Sequence, residues 1–166
     1  YKIVFPNDLG QFNPEFPFGA KVNHYLTGSI KIGQNIEYKN ILNILDNLVG
    51  IPYKWGGKTS LGFDCSGLVQ SVLNVFGFEI PRDCHEQLDF FQFHKIELLD
   101  SKLGDLHFFG KGEKVIHVGF STGRSGIIHS QGCVKNESLD NTSPLFNKKL
   151  LDIYICSISV LSKFGL

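Results

Sequence analysis

The 166-residue sequence has no methionine, a single tryptophan and no excess of either charge, with 16 Lys and Arg against 16 Asp and Glu. Nucleic-acid phosphates and anionic membrane surfaces are gripped by a surplus of Lys and Arg, so zero net charge argues against either as the main partner. No apolar run approaches the roughly 20 residues needed to span a bilayer. No CxxC pair occurs; Cys65, Cys84, Cys133 and Cys156 are spread widely and read as free thiols rather than as a disulfide framework or a zinc cluster. What is plentiful is apolar: 42% of the residues are hydrophobic, with 15 Phe. That excludes disorder for the bulk of the chain and supplies a core. The length fits one ordinary domain, or one domain with a short accessory piece. A chain without Met that begins at Tyr1 reads as a processed or shortened form, and a leader ahead of it stays open.

The composition shifts near residue 35. Residues 1–34 hold Pro6, Pro14 and Pro17, and Gly10, Gly19, Gly28 and Gly33 interrupt short apolar runs. That is strand-and-turn chemistry. It predicts an accessory β segment packed on the main domain, or the remainder of a truncated one. Residues 35–166 then form the main domain. Ile41, Leu42, Ile44, Leu45, Leu48 and Val49 recur at helical spacing until Gly50 and Pro52. Leu68, Val69, Val72, Leu73 and Phe76 predict a second helix closed by Gly77, and a third is expected over 83–93. Strands are expected over 105–109, 114–120, 126–130 and 151–160. Helices followed by strands imply an α+β fold with a mostly antiparallel sheet.

Cys65 stands where a Gly-rich loop becomes the second helix, on the face of Leu68, Val69 and Val72. A helix N-terminus offers unpaired amides and a partial positive charge, which favour a thiolate, and the thiolate is the nucleophile. The plain alternative is a small buried apolar cysteine. A cysteine nucleophile needs a base, and the base an orienting partner. In Val115-Ile116-His117-Val118-Gly119, period-2 alternation sets His117 on the face opposite Ile116 and Val118. His129 lies in Ile127-Ile128-His129-Ser130. If these two segments are hairpin neighbours, the histidines can share a face, one behind the other. Each alone reads as a polar residue at a sheet edge. His85, beside Cys84, stays open.

Taken in order, these segments resemble the motifs of NlpC/P60 cysteine peptidases. Tyr53-Lys54-Trp55-Gly56-Gly57 comes first, then Asp64-Cys65-Ser66-Gly67-Leu68-Val69-Gln70, then His117-Val118-Gly119 and Ile128-His129-Ser130. Ile80-Pro81-Arg82 with Gln87, and Gly104-Asp105-Leu106, resemble lesser features of the family. The resemblance runs from about residue 38 to 160. It implies a reduced papain-like fold, with N-terminal helices packed on a small antiparallel sheet. It implies hydrolysis of bacterial peptidoglycan stem peptides or muropeptides at the bond between D-γ-glutamate and diaminopimelate or lysine. Carried over, Cys65 is the nucleophile, His117 the general base and acid, and His129 the residue that orients it, with no metal or other cofactor. Tyr53, Asp64 and Ser66 fall at positions that line the substrate cleft in relatives. Cys84 departs from the pattern, where relatives often carry Ser. Phe16-Pro17-Phe18-Gly19-Ala20-Lys21-Val22 resembles a stretch of bacterial SH3-like domains.

Asp64 has two readings. Asp is a good N-cap, and in relatives the Asp beside the nucleophile meets the free amine of an N-terminal L-Ala. An acyltransferase or amidase using the same Cys-His-His site is the main alternative, followed by a non-catalytic wall-binding module. A zinc site of Cys65, Cys84, His85 and His117 is the remote one. The resemblance implies a monomer in the bacterial envelope or secreted, with cytoplasmic peptide recycling as the other compartment.

Overall fold

The computed structural model describes residues 2–4, 18, 21–22, 29–31, 38–112 and 114–164. Strands β1 (Lys2–Val4), β2 (Lys21–Val22) and β3 (Ser29–Lys31) form a small antiparallel sheet in the order β2-β1-β3. Most of the segment that resembles an SH3-like domain lies outside the described residues. Within it, Phe18 is fully buried, edge-on to Phe63 with ring centroids 6.4 Å apart. Its amide donates to Ser60 Oγ at 2.9 Å and its carbonyl accepts from the Ser60 amide.

The main domain opens with helix α1 (Ile41–Leu48). Its apolar spacing puts Ile41, Ile44, Leu45 and Leu48 on one buried stripe. Val49, expected on the same face, lies past the last turn and is exposed. A two-stranded hairpin follows, β4 (Lys58–Thr59) and β5 (Gly62–Phe63), and leads directly into helix α2 (Cys65–Val75). Nine of the eleven residues of α2 are buried, so it is a central helix rather than an amphipathic surface one. Burying each of Leu68, Val69, Val72 and Leu73 is worth about 1.5 to 3 kcal/mol. Helix α3 (Cys84–Phe91) begins in a capping box between Asp83 and Glu86 and ends in a 3-10 turn over Gln92–His94.

The rest is a six-stranded sheet: β6 (Lys95–Ile96), β7 (Leu103–Lys111), β8 (Lys114–Gly123), β9 (Gly126–Gln131), β10 (Cys133–Ser138) and β11 (Tyr154–Ile158). The order is β10-β9-β8-β7-β11-β6, and each adjacent pair is antiparallel. Strands β7 to β10 form a meander, in which consecutive strands pair through short turns. Leu106, Phe108, Val118, Phe120 and Ile128 share one core with α1, α2 and α3. Phe109 and Ile127 build a smaller cluster with Leu139 and Leu150. The expected strand over 151–160 is shorter than its apolar residues imply. Helices α4 (Lys148–Leu151) and α5 (Val160–Phe164) take its two ends. Strand β10 has no counterpart in the sequence reading, because Lys135-Asn136-Glu137 has low strand propensity. Pairing with β9 makes it a strand.

Candidate active site

A cleft of about 870 Å³ opens where the first turns of α2 and α3 meet the ends of β8 and β9. Tyr53, Asp64, Cys65, Ser66 and His117 line it, together with Arg82 and Cys84. Trp55, at its rim, is 87% exposed. His129 lies behind His117 and is fully buried.

The mouth of α2 is built by Asp64. One carboxylate oxygen caps the helix by accepting from the Gly67 amide at 2.7 Å. The other accepts from the Gly56 amide at 2.8 Å and pairs with Arg82 at 2.6 Å. Arg82 also donates to Ser66 Oγ at 2.9 Å. Gln87, fully buried, donates to the Ser66 and Pro81 carbonyls and so ties α3 to the start of α2. Gly67 is required because any Cβ there would overlap the Gly57 carbonyl oxygen. The loop therefore lies against the helix mouth as it could against no other residue type. Asp64 lines the cleft as expected, yet its acceptors are filled from within the protein.

The two histidines meet across β8 and β9. Pairing of Phe120 with Ile128 aligns β8 and β9 so that Gly119 lies beside His129. A Cβ at Gly119 would stand 2.7 Å from the His129 Cβ, so glycine makes room for the ring. His117 Nε2 lies 2.7 Å from His129 Nδ1. The β7–β8 register shifts just past the Phe109–His117 pair, and bulges commonly re-aim side chains near active sites. The His117 ring faces the Cys65 sulfur across the cleft and works to lower its pKa.

Three residues that the sequence reading missed complete the arrangement. Glu137 Oε2 lies 2.8 Å from His129 Nε2, and Asn147 Nδ2 donates to the same oxygen at 2.8 Å. Lys135 Nζ stands 3.1 Å from Glu137 Oε1. In the β9–β10 register Lys135 faces His129, and Glu137 follows two residues on, on the same side. The available signal was the turn at Gly132 with Lys135 and Glu137 at period 2 beyond it. Burial works to raise the Glu137 carboxyl, but hydrogen bonds from Asn147, Lys135 and His129 together hold it below its ordinary range. Burial lowers His129 and outweighs the opposing pull of Glu137. At neutral pH the pair is thus a carboxylate and a neutral imidazole. Glu137 accepts from His129 Nε2–H, His129 Nδ1 accepts from His117 Nε2–H, and the other ring nitrogen of His117 is left to face the thiol.

The structure corrects the expectation of a ready thiolate. The Cys84 thiol, which donates to the Val115 carbonyl at 3.7 Å, stands against Cys65, and with burial it pushes the Cys65 thiol up to about 12, against the lowering effect of His117. Cys84, at the first turn of α3, is lowered by the same contact. The helix field at Cys65 is overridden by a second sulfur that the sequence spacing gave no reason to bring there. Tyr53 is raised, by burial and then by Cys65, and so stays a protonated donor.

The NlpC/P60 family model matches residues 50–153, which run from the end of α1 to the residue before β11. The sequence is 38% identical over 113 residues to the γ-D-glutamyl-L-lysine dipeptidyl-peptidase of Bacillus subtilis strain 168, covering 65% of this chain. The chain spans only 37% of that relative's length. A solved NlpC/P60 family protein from Bacillus cereus matches with a TM-score of 0.67 and 26% identity, over 78% of this chain and 42% of that one. The NlpC/p60 domain of the peptidoglycan hydrolase SagA matches with a TM-score of 0.61 and 29% identity, over 75% of this chain and 100% of that one. With its papain-like arrangement of helices on an antiparallel sheet and a family match over more than half its length, the chain belongs to the NlpC/P60 family.

Proposed function

We propose that this chain is a cysteine endopeptidase that hydrolyses peptidoglycan stem peptides at the bond between D-γ-glutamate and a diamino acid. The observation that carries the reading is the pair Cys65 and His117 at the wall of one cleft, with His129 hydrogen-bonded behind His117. The name of the Bacillus subtilis relative, a γ-D-glutamyl-L-lysine peptidase, supports that choice of bond.

In this reading the Cys65 proton passes to His117 as the sulfur attacks the γ-glutamyl carbonyl carbon. The carbonyl oxygen takes up the electron pair and is held by the Cys65 amide and the Tyr53 hydroxyl. One well-placed donor of this kind is worth about 3 to 4 kcal/mol in the transition state. His117 then gives its proton to the departing amine of the diamino acid, leaving a thioester on Cys65. Water, losing a proton to His117, cleaves the thioester, and that proton returns to the sulfur. Burial of the Cys65 thiol makes proton transfer to His117 part of the reaction rather than a step completed beforehand.

The substrate reading favours the bacterial envelope or its exterior, and a monomer. Among the described residues no helix is long and apolar enough to cross a membrane. Residues 1–34 are read as an accessory segment, part of an SH3-like domain. Mass spectrometry of digests tests the whole reading, with muropeptides and free L-Ala-γ-D-Glu-L-Lys and diaminopimelate peptides as substrates. Wild-type protein should release fragments ending in γ-D-Glu, and Cys65→Ala should release none while keeping its fold. Transfer of the γ-glutamyl group to an added amine, in place of hydrolysis, would favour an acyltransferase.

A further inference from the structure

We propose that Glu137 is a positioning residue for the site, a carboxylate that sets the tautomer of both histidines and supplies the negative charge that balances the imidazolium formed at His117. The proposal rests on reading Cys65 and His117 as nucleophile and base. A continuous line of hydrogen bonds carries it: His117 Nε2 to His129 Nδ1 at 2.7 Å, then His129 Nε2 to Glu137 Oε2 at 2.8 Å.

The need for such a group follows from the surroundings. His129 is fully buried and His117 nearly so. A cation forming there has little water to solvate it, so it needs a counter-charge within the protein. The charged and titratable groups around the pair can be named from each element. Helix α2 brings Cys65, the start of α3 brings Asp83, Cys84 and His85, the loop after α1 brings Tyr53, and the near end of β8 brings Lys114. The cap of α2 brings Asp64, already paired with Arg82. Strand β10 brings Lys135 and Glu137. Among the described residues, Glu137 is therefore the acid in contact with the histidine pair. A neutral His129 alone could orient His117 but could not offset its charge.

Glu137 is itself held. Asn147, the N-cap of α4, donates to the oxygen that meets His129. Lys135 takes the other oxygen. This fixes the carboxylate plane and leaves it partly compensated by Lys135. The two β10 side chains thus act on the histidines with opposite sign.

The test uses the full chain and two readouts, one of which needs no peptide substrate. The first is the pH dependence of iodoacetamide alkylation at Cys65, mapped by mass spectrometry. The second is kcat and KM against pH on a γ-D-Glu-L-Lys peptide. Glu137→Gln keeps the shape and an acceptor oxygen but removes the charge. The expected result is a folded protein whose alkylation half-point moves down by about half to one pH unit, because the His117 imidazolium loses its counter-charge and gives up its proton more readily. Its kcat should fall about 10- to 100-fold, less than loss of the central orienting group of a triad, with KM little changed. Glu137→Asp, which keeps the charge on a shorter arm, should recover part of both. Lys135→Gln should move the half-point the opposite way by a few tenths of a unit, which keeps the test decisive if Glu137→Gln does not fold. Alkylation and kcat profiles of folded Glu137→Gln that overlay the wild type, or a Lys135→Gln shift of the same sign as Glu137→Gln, would overturn the proposal. A wild type that cleaves no γ-glutamyl peptide, with the alkylation shifts as expected, would overturn the peptidase reading and leave this one standing.

Discussion

Cys65 sits between two neighbours that act on its proton in opposite directions. Cys84 and burial hold the proton on the sulfur, and His117 draws it away. Of the two thiols in contact, ionising one makes ionising the other harder, because like charges would then share a confined site. Serine at position 84 would keep a small polar group but could not ionise. Cys84→Ser is therefore expected to lower the pH at which Cys65 is half-alkylated, by about one unit. Mapping iodoacetamide adducts on Cys65 across a pH series checks this, and an unmoved profile would show that burial alone holds the proton. The sequence named Cys65, and flagged Cys84 as unusual for its position. It had no means of showing that the starts of two helices bring these sulfurs together.

At the scale of elements, α2 is set by its cap as much as by its apolar face. Asp64 closes three connections at once: to the first turn of α2, to the Gly56 loop and to Arg82 ahead of α3. Asn caps a helix about as well as Asp. It cannot match the charge, so Asp64→Asn should keep the helix while leaving Arg82 without its partner. Because Arg82 is about one-third exposed, the expected cost is modest, about 1 to 2 kcal/mol by chemical denaturation. With its acceptors filled from inside, Asp64 is expected to act as a brace for the cleft. The loss in kcat/KM should then be equal on L-Ala-γ-D-Glu-L-Lys and on the same peptide acetylated at its N-terminus. A loss confined to the free amine would instead assign Asp64 to substrate recognition. Helices α1 to α3 and strands β7 to β9 were legible because each carries its apolar period within itself. Strand β10 was not, since its polar residues answer to β9 across the ladder rather than to their own sequence.

For the molecule as a whole, buried histidines tie stability to pH. His107 lies inside the sheet with its Nδ1 2.8 Å from Ser157 Oγ, and burial lowers it from 6.5 to about 4. The unfolded chain therefore binds a proton in this window that the fold does not. Its contribution is fully present above about 6.5 and is lost as the pH falls through about 4, a total of about 3 kcal/mol. His129 and Glu137, both lowered, act in the same direction. Asp105, raised by burial, opposes them, since protonating it favours the fold. The melting temperature should decline between pH 7 and pH 4, and His107→Asn should flatten that decline. Thermal melts at half-unit steps measure both slopes, and identical slopes would remove His107 from the account.

The sequence by itself determined the helix-then-strand order, the nucleophile candidate at a helix mouth and the two histidines on alternating strand positions. All of these are local: they follow from the 3.6 and 2.0 periods, from Gly and Pro stops, and from the ordered motifs. The tertiary structure decided which charges those residues meet. Glu137 reaches His129 only because β10 turns back at Gly132 and pairs with Lys135 opposite His129. Cys84 reaches Cys65 only because Gln87 and Arg82 draw the start of α3 against that of α2. Electrostatic partners are chosen by distance in space, and separation along the chain carries no record of it.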